Sequence, residues 1–427
     1  MKRAAVLTTA LLALGGTSAS AQTQACPDPG ALTRGVAAPL DAVRYLADDA
    51  LEGRLAGTAA ERCAGDYIAA RFRRIGLAPA GEGGTYFQDV PLASAVNPHA
   101  PGGTGRNVIG ILRGRSKPDE VVVVGAHYDH LGHGGALSLT PGEDAIHNGA
   151  DDNASGVAAL LAVAERMARG PRPARSVVFV AFTGEESGLL GSAHFAGSPL
   201  LALPKTRAML NMDMVGRLGA GPLIVYGVET AGEWPGLVER AAAAEGVAVR
   251  ASGDGYGASD HTAFYVKDLP VLHFFTNVHG DYHKPSDDWE KVDAAGISKV
   301  AAIVARVAGE VAGRPEALTF RRAPAPPRAQ TAAATPGYGA YLGSVPDFSP
   351  VEGGVRLSGV RAGSPAEKAG IRAGDVLVRV GAHDTPDLQG LTDALRAHRA
   401  GDTVPVVLRR GAETVTVTVT FGTRGGG

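Results

Sequence analysis

Residues 121–132, VVVVGAHYDHLG, place an imidazole and a carboxylate directly after four valines. A run of β-branched residues without polar alternation predicts a strand that is buried on both faces, as in the centre of an α/β sheet. Desolvating His127 and Asp129 at the end of such a strand costs free energy unless they have partners. The stretch therefore predicts a central strand that presents polar groups to a site, and a cation would be a suitable partner.

The chain from about residue 105 onward alternates strand-like and helix-like segments. Strand-like runs such as RNVIGILRG, RSVVFVAFTGEE and LPVLHFFTN are separated by helix-like ones such as SGVAALLAVAERMARG. This alternation predicts an α/β fold with a mostly parallel, mixed sheet sandwiched by helices. We predict an N-terminal helical segment at 22–104, an α/β core at 105–313, a Pro/Ala-rich linker at 314–336 and a small β-rich domain at 337–427.

Composition and the N-terminus narrow the class of protein. A net charge of −2 over 427 residues argues against a nucleic-acid binder, which usually carries a basic excess. Residues 1–21 have a basic start, a short apolar core and an A-x-A site, which predict a signal peptide and a periplasmic or secreted protein. No later apolar stretch reaches the roughly 18 residues that a membrane span needs. In an oxidising compartment, the two cysteines, Cys26 and Cys63, are expected to form a disulfide.

Further acidic and imidazole side chains follow the other predicted strands or precede a helix. In an open α/β sheet, the carboxyl ends of the parallel strands meet at one edge, where ligands bind. Each group alone is more often a capping or surface residue, but their joint occurrence at one edge favours a metal site. The candidate ligands are His127, Asp151, Glu186, Asp213 and His283.

Imidazole and carboxylate are the ligands of catalytic zinc, and two zinc ions can share one carboxylate and one water. Two Zn²⁺ ions against three carboxylates leave a positive charge that favours hydroxide as the shared nucleophile. Glu185 is left without a metal to bind, so we expect it to act as the general base. Asp129 lies two residues after His127 and is expected to orient that imidazole as an outer partner.

Six motifs, in order, resemble those of the M28 family of co-catalytic zinc aminopeptidases. The motifs are GAHYDH, GADDNASGVAAL, AFTGEESGLLGS, NMDMVG, GYGASDH and YHKPSDD. The resemblance covers roughly residues 38–312 and implies a dizinc aminopeptidase. Carried over by position, it implies that Asp151 bridges both zincs. Glu186 and His283 would complete one site, and His127 and Asp213 the other.

The same resemblance implies roles for residues around the ligands. The peptide bond between Asp151 and Asp152 would be cis, with Asp152 just outside the ligand set. Tyr256 matches the position whose hydroxyl polarises the scissile carbonyl. Asp260 and His261 would support the site from outside.

The C-terminal segment resembles a bacterial-type PDZ domain. Its loop YGAYLGSVPDF, residues 338–348, would bind a peptide C-terminus through backbone N–H groups around Tyr341, Leu342 and Gly343, by adding a strand to a sheet edge. Ser344 stands where an apolar residue is often found, which departs from the family pattern. An appendage that binds no peptide is an equally open interpretation.

The first hypothesis for function is an exported zinc exopeptidase that removes N-terminal residues from peptides. A dizinc carboxypeptidase acting on acidic or N-acylated dipeptides is the first alternative. It would need arginines in the pocket, and Arg217 lies near enough in sequence to keep it open. A glutaminyl-cyclase-like transferase and a non-catalytic, PDZ-bearing binding protein are the others. Phe274, Phe275 and Tyr282 are aromatic candidates for a substrate pocket, and each could equally belong to the core.

Overall fold

The structure is a computed structural model. It describes residues 25–32, 34, 38–92, 102–140, 143–198, 200, 203–253, 255, 257–322, 340–346, 351, 353–360, 363–386 and 388–422. The predicted signal peptide and Tyr256 lie outside the described residues. Within the described part of the chain, no helix combines the length and the apolar character that a membrane crossing requires.

Two separate sheets are formed by the described strands. The strands are β1 (Ala78–Pro79), β2 (Phe87–Pro91), β3 (Thr104–Leu112), β4 (Lys117–His127), β5 (Arg175–Phe182), β6 (Thr206–Met212), β7 (Leu223–Tyr226), β8 (Val249–Ser252), β9 (Val271–Phe275), β10 (Ser344–Pro346), β11 (Val355–Val360), β12 (Val376–Val380), β13 (His383–Asp384), β14 (Thr403–Arg410) and β15 (Glu413–Thr420). The first nine form one sheet in the order β1-β3-β5-β4-β6-β9-β7-β8, with β2 also paired to β3. Strands β5, β4, β6 and β9 are parallel neighbours, and β3 and β7 pair antiparallel at either side of them. The predicted mixed, mostly parallel sheet is confirmed.

The helices cover both faces of the large sheet and one part of the small one. They are α1 (Pro29–Leu32), α2 (Leu40–Leu46), α3 (Ala59–Ile75), α4 (Gly156–Arg169), α5 (Leu190–Gly197), α6 (Trp234–Ala244), α7 (His261–Tyr265), α8 (Ala294–Gly313), α9 (Pro365–Lys368) and α10 (Leu388–Arg396). Helices α2, α3, α4, α6 and α8 contribute to the larger apolar core, and α5 and α7 to a second one.

The four valines of β4 explain how this strand occupies the centre of the sheet. Val122 and Val124 pack into the core shared with α4 and α8, whereas Val121 and Val123 pack into the core on the opposite face. Side chains alternate between the two faces of a strand, so an unbroken apolar run fits a strand covered by helices on both sides. The strand ends at His127, which is therefore held at the carboxyl edge by a fully buried arm.

The segment before residue 105 is part of the same body and is not only helical. Strands β1 and β2 both pair with β3, and helix α3 packs its buried face into the larger core. Cys26 is joined by a disulfide to Cys63 on α3, with Cα atoms 5.3 Å apart. These two strands have two and five residues, which is too short for their alternation to be recognised in the sequence.

The start of the predicted linker packs against the α/β body. Leu318 is buried, Phe320 forms a β-bridge with Ala231, and Arg322 makes an ion pair with Asp268 at 2.7 Å. The remainder of the predicted linker, residues 323–336, lies outside the described residues.

The C-terminal sheet has its own apolar core. Its strands follow the order β10-β11-β12-β14-β15, with β13 also paired to β12. Leu357, Leu377, Val406 and Leu408 from the sheet pack with Leu391 of α10. Among the described strands, β10 is therefore at an edge, and it lies within the loop predicted to bind a carboxylate, directly after Gly343.

Candidate metal centre and active site

The carboxyl edge of the large sheet collects the side chains expected there. His127 ends β4, Asp213 follows β6, and Glu186 comes four residues after β5. His283 lies in the loop after β9. The loop that enters α4 brings Asp152 between them, and these five side chains form two adjoining donor groups that share Asp152.

The first donor group consists of His127, Asp152 and Asp213. His127 Nε2 lies 3.3 Å from Asp213 Oδ1 and 3.4 Å from Asp152 Oδ1. One donor atom from each of the three lies within 4.8 Å of the others. His127 Nδ1 is 3.3 Å from the backbone carbonyl of Asp129 and donates to it, so the Nε2 lone pair points at the carboxylates. A metal-binding histidine is commonly oriented in this way.

The second donor group consists of Asp152, Glu186 and His283, and His130 lies against Glu186. His283 Nε2 lies 3.2 Å from both Asp152 Oδ2 and Glu186 Oε2, and its Nδ1 donates to the carbonyl of Leu137 at 2.9 Å. His130 Nδ1 lies 2.9 Å from Glu186 Oε1. His130, Asp152 and Glu186 again offer three donor atoms within 4.8 Å.

His130 has no role in the sequence-based prediction, although it stands in the motif GAHYDH. Its Nε2 is buried without a hydrogen-bond partner among the described residues. Of the two histidines, only His283 donates from its Nδ1 to a backbone carbonyl, which leaves the lone pair of its Nε2 for a cation. His283 is therefore the better metal ligand of the two. His130 is then the donor that holds Glu186.

The prediction that Asp151 lies at the shared position is wrong in this structure, because Asp152 occupies it. Asp151 points away and accepts hydrogen bonds from the N–H of Gly216 at 2.6 Å, Ser155 Oγ at 2.9 Å and His279 Nε2 at 3.0 Å. The cis peptide bond is also one residue later than expected, between Asp152 and Asn153. Two adjacent, fully buried aspartates are equivalent in the sequence, and only the loop's path decides which one faces the donors.

A buried network fixes the loop that carries Asp152. Asp287 Oδ2 accepts the N–H groups of Asp151 at 2.9 Å and Asp152 at 3.1 Å, and Arg217 Nη2 binds its other oxygen at 3.0 Å. These contacts fix the backbone of Asp151 and Asp152 and thereby the direction of their two side chains.

Arg54 holds the same loop from the other side. Its fully buried guanidinium donates to the carbonyls of Tyr128 at 2.8 Å, Asn148 at 2.6 Å, Gly149 at 3.1 Å and also Leu46. One side chain therefore ties the end of β4 to the start of the Asp152 loop.

Strong opposite charges act within the two donor groups. Burial disfavours the charged imidazole of His127, but Asp213 raises its pKa well above the usual value. Burial also disfavours the Glu186 carboxylate, but His283 lowers the pKa of Glu186 to about 2. For Asp152, hydrogen bonds from His127 and His283 outweigh burial and hold its pKa well below the ordinary value. Buried carboxylates at this density need compensating positive charge, and divalent cations at the two groups would supply it.

Glu185 stands beside the donor groups without belonging to either of them. Its backbone N–H donates to Asp129 Oδ1 at 3.1 Å, and its side chain lines the same pocket as the ligand candidates. Burial raises the pKa of Glu185 well above the usual value, and the charge of Glu186 adds to this effect. A carboxylate in this environment holds a proton readily.

A pocket of about 80 Å³ opens onto the donor groups. Its lining residues are His127, Asp152, Glu185, Glu186, Asp213, Met214, Tyr226, Gly257, Ala258, His261, His273, Phe275, Tyr282 and His283. Of the three aromatic candidates from the sequence, Phe275 and Tyr282 line this pocket, whereas Phe274 is buried in the core. No lysine or arginine is among these described lining residues, and Arg217 is engaged with Asp281 and Asp287 instead.

Two of the residues predicted to support the site are buried beside it. Asp260 is fully buried, and burial raises its pKa to about 7. His261 lines the pocket, and both of its ring nitrogens lack a partner among the described residues.

The predicted carboxylate-binding loop of the small domain is only partly free for that role. The N–H of Tyr341 donates to the carbonyl of Gly422 at 3.1 Å, so it is already used within the domain. Leu342 is buried in the core, and Gly343 has a positive φ of 78°. A Cβ at Gly343 would lie 2.2 Å from Ser364 Cβ, so glycine is required there.

A mixed α/β sheet with two adjoining His/carboxylate groups at its carboxyl edge is typical of metal-dependent α/β hydrolases. Residues 107–308 match the model of peptidase family M28, and residues 342–421 match that of the PDZ domain. Residues 107–308 are therefore a peptidase family M28 region, and a PDZ domain follows it.

Individual relatives are similar over limited parts of the chain. A probable zinc metalloprotease of Pyricularia oryzae is 39% identical over 110 residues, which are 26% of this chain and 21% of that protein. Aminopeptidase YwaD of Bacillus subtilis is 28% identical over 47% of this chain and 43% of its own length. The chain thus spans less than half of either relative. A Zn-dependent exopeptidase structure from Parabacteroides distasonis has a TM-score of 0.54 at 22% identity, covers 67% of this chain and 99% of that one, and shows the shared fold.

Proposed function

We propose that the protein is an exported zinc aminopeptidase that hydrolyses N-terminal residues from peptides with two Zn²⁺ ions. The observation that carries this proposal is the position of Asp152 between two donor groups, with Glu185 on the same pocket but outside both. The match to peptidase family M28, and the similarity to a probable zinc metalloprotease and to an aminopeptidase, support it.

The donor geometry suggests which residues would hold each ion. His127, Asp152 and Asp213 would hold one, and Asp152, Glu186 and His283 the other. The donor distances and the carbonyl-oriented imidazoles suit zinc, which takes nitrogen and oxygen ligands. When bound, the two ions would supply Lewis acidity and lower the pKa of a coordinated water.

Glu185 would move the proton in this reaction. It takes a proton from the attacking water and passes it to the amine that leaves, as a general base and then a general acid. The burial that raises its pKa favours its holding the proton between the two steps. Asp129 Oδ1 accepts the N–H of Glu185 and so keeps the backbone of Glu185 close to the donor groups. The backbone carbonyl of Asp129 accepts from His127 Nδ1 and orients that imidazole. Tyr256, which would polarise the scissile carbonyl, lies outside the described residues.

The pocket favours an aminopeptidase over the carboxypeptidase alternative. A substrate with acidic groups would need a cation in the pocket, and none of the described lining residues is a lysine or arginine. A peptide with a free N-terminal amine and no acidic group needs no such cation.

The test is the substitution Glu185→Gln, with the exposed Glu82→Gln as the matched control. Loss of a general base is expected to lower kcat by about 10²–10⁴. The zinc content, measured by elemental analysis, should stay at two per chain, because Glu185 is not a ligand. Aminoacyl substrates and their N-acetylated forms are compared on the same sample. Near-normal turnover by Glu185→Gln would remove this residue from the mechanism, and cleavage of blocked substrates alone would favour the alternative.

Export and peptide binding by the PDZ domain complete the proposal. The sequence of residues 1–21 supports export to the periplasm or medium, and cleavage after Ala21 is checked by N-terminal sequencing of the mature protein. The edge position of β10 supports binding of a peptide C-terminus by strand addition. We expect Leu342 and Gly343 to supply the N–H groups, because that of Tyr341 is engaged.

A further inference from the structure

A chain of hydrogen bonds leads from Asp213 to His273 on the pocket wall. Ser259 Oγ lies 2.7 Å from Asp213 Oδ2 and must donate to it, because a carboxylate only accepts. Ser259 Oγ then accepts from Asn211 Nδ2 at 2.8 Å. The second N–H of this amide is directed at His273 Nδ1, 3.2 Å away. An amide nitrogen only donates, so His273 Nδ1 is an acceptor.

The tautomer of His273 follows from this chain. A neutral imidazole whose Nδ1 accepts carries its proton on Nε2, which is therefore a donor. Burial lowers the pKa of His273 to about 4, which agrees with a neutral ring. The ring is also fixed in orientation. It stacks on His261 at a centroid distance of 4.5 Å and lies nearly parallel to Phe275 at 5.8 Å.

His273 lines the pocket, and its Nε2–H has no acceptor among the described residues. Within the described part of the chain, no acceptor lies within hydrogen-bond distance of it, and it is not among the nitrogens sealed from solvent. The neighbouring wall includes Met214 and Phe275, which offer apolar surface, and the rings of Tyr226 and Tyr282, each of which also carries a hydroxyl; none of them is charged. The pocket thus combines a largely apolar wall with the oriented, neutral donor of His273.

We propose that His273 Nε2 donates a hydrogen bond to the side chain of the substrate's first residue and so favours a neutral side chain with an acceptor oxygen over an apolar one of the same size. This proposal rests on the proposed aminopeptidase function, since the first side chain must occupy the pocket beside the donor groups. A leucine or methionine side chain would displace water from His273 and leave its N–H unpaired, which disfavours binding. An amide or hydroxyl oxygen would pair with it. Sites built to hydrogen-bond a substrate group discriminate more strongly than apolar pockets do.

The experiment compares kcat/KM for two pairs of aminoacyl substrates, glutamine with methionine and asparagine with leucine. It uses the full chain, loaded with zinc, as wild type, His273→Phe and His273→Gln. Phenylalanine keeps a flat ring in the stack but has no donor, and glutamine keeps an N–H. The ratio of amide to apolar substrate is expected to fall about tenfold in His273→Phe, as for one neutral hydrogen bond, and to recover at least half of that loss in His273→Gln.

Using a ratio separates selectivity from general damage. Both substrates of a pair share any change in zinc occupancy or in the Asp213 chain, so such changes cancel. Equal ratios in wild type and His273→Phe would overturn the inference while leaving the aminopeptidase proposal intact. If the wild type cleaves no aminoacyl substrate, the aminopeptidase proposal itself fails. If His273→Phe does not fold, the ratio of amide to apolar substrate in His273→Gln is compared with the ratio in His273→Leu. A higher ratio in His273→Gln supports the inference, and equal ratios overturn it.

Discussion

Substituting the two adjacent aspartates separately tests which of them serves the metals. Asp152 offers Oδ1 to the first donor group and Oδ2 to the second, 3.4 Å from His127 Nε2 and 3.2 Å from His283 Nε2. In Asp152→Asn, one of these oxygens becomes an NH₂ group, which cannot bind a cation. The ligand charge also falls from −3 to −2 against two Zn²⁺ ions. We expect zinc content to fall from two to at most one per chain.

Asp151→Asn is the matched control, because it changes the same chemistry one residue away. Asp151 accepts three hydrogen bonds and touches neither donor group. We expect zinc to remain at two per chain, because none of the three partners of Asp151 is a proposed ligand. Loss of the charged acceptor should destabilise the fold by about 1–3 kcal/mol.

Both variants are dialysed to equilibrium against buffered zinc, and the bound metal is measured by elemental analysis. Thermal unfolding of the metal-free proteins gives the stability difference separately. Two zinc ions in Asp152→Asn together with fewer than two in Asp151→Asn would refute the assignment and restore Asp151 to the shared position.

Three further predictions concern stability. Hydrogen bonds from Arg207 and, to a lesser degree, Arg175 lower the pKa of Glu120 to about 2 in the folded protein. The stabilisation of the fold by ionised Glu120 is complete above the unfolded pKa near 4.5 and is lost as the pH falls towards 2. Glu120→Gln should therefore lower the free energy of unfolding by about 1–2 kcal/mol at pH 7 and by little at pH 2.5, as measured by urea unfolding. Arg54→Met should destabilise by about 3–5 kcal/mol because it strands four buried carbonyls, and an unchanged urea midpoint would contradict the role given to this side chain. The disulfide closes a separation of 37 residues, so Cys63→Ser should cost about 3–4 kcal/mol, and reducing agent should affect wild type but not this variant.

The fold follows from patterns that are local in the sequence. The valine run of β4 predicts a two-sided strand, and the structure places its residues alternately in two cores. The family motifs predict the peptidase region and the PDZ domain, and both are confirmed. The ligand candidates follow strand ends, so the strand positions predict that His127, Asp213 and Glu186 lie at one edge of the sheet, and all three line the same pocket.

The parts that sequence reasoning missed depend on the direction of side chains in loops. Asp151 and Asp152 have the same chemistry, and contacts from Asp287 and Arg54, distant in the chain, decide which one faces the donors. His130 stands in a quoted motif, but its contact with Glu186 is set by the packing of two loops. The Tyr341 N–H donates to the carbonyl of Gly422, at the other end of the small domain. A contact between residues so far apart in the chain gives no local sequence pattern from which it could be predicted.

The supports of the Asp152 loop also determine when a nascent chain can bind zinc. Arg54 holds the loop from the amino-terminal side, and Asp287 holds it from a position more than a hundred residues further along the chain. A polypeptide still emerging from the ribosome has the first clamp but not the second. Both clamps are therefore present only once residue 287 has been synthesised, and a translation product that ends before it lacks the second one.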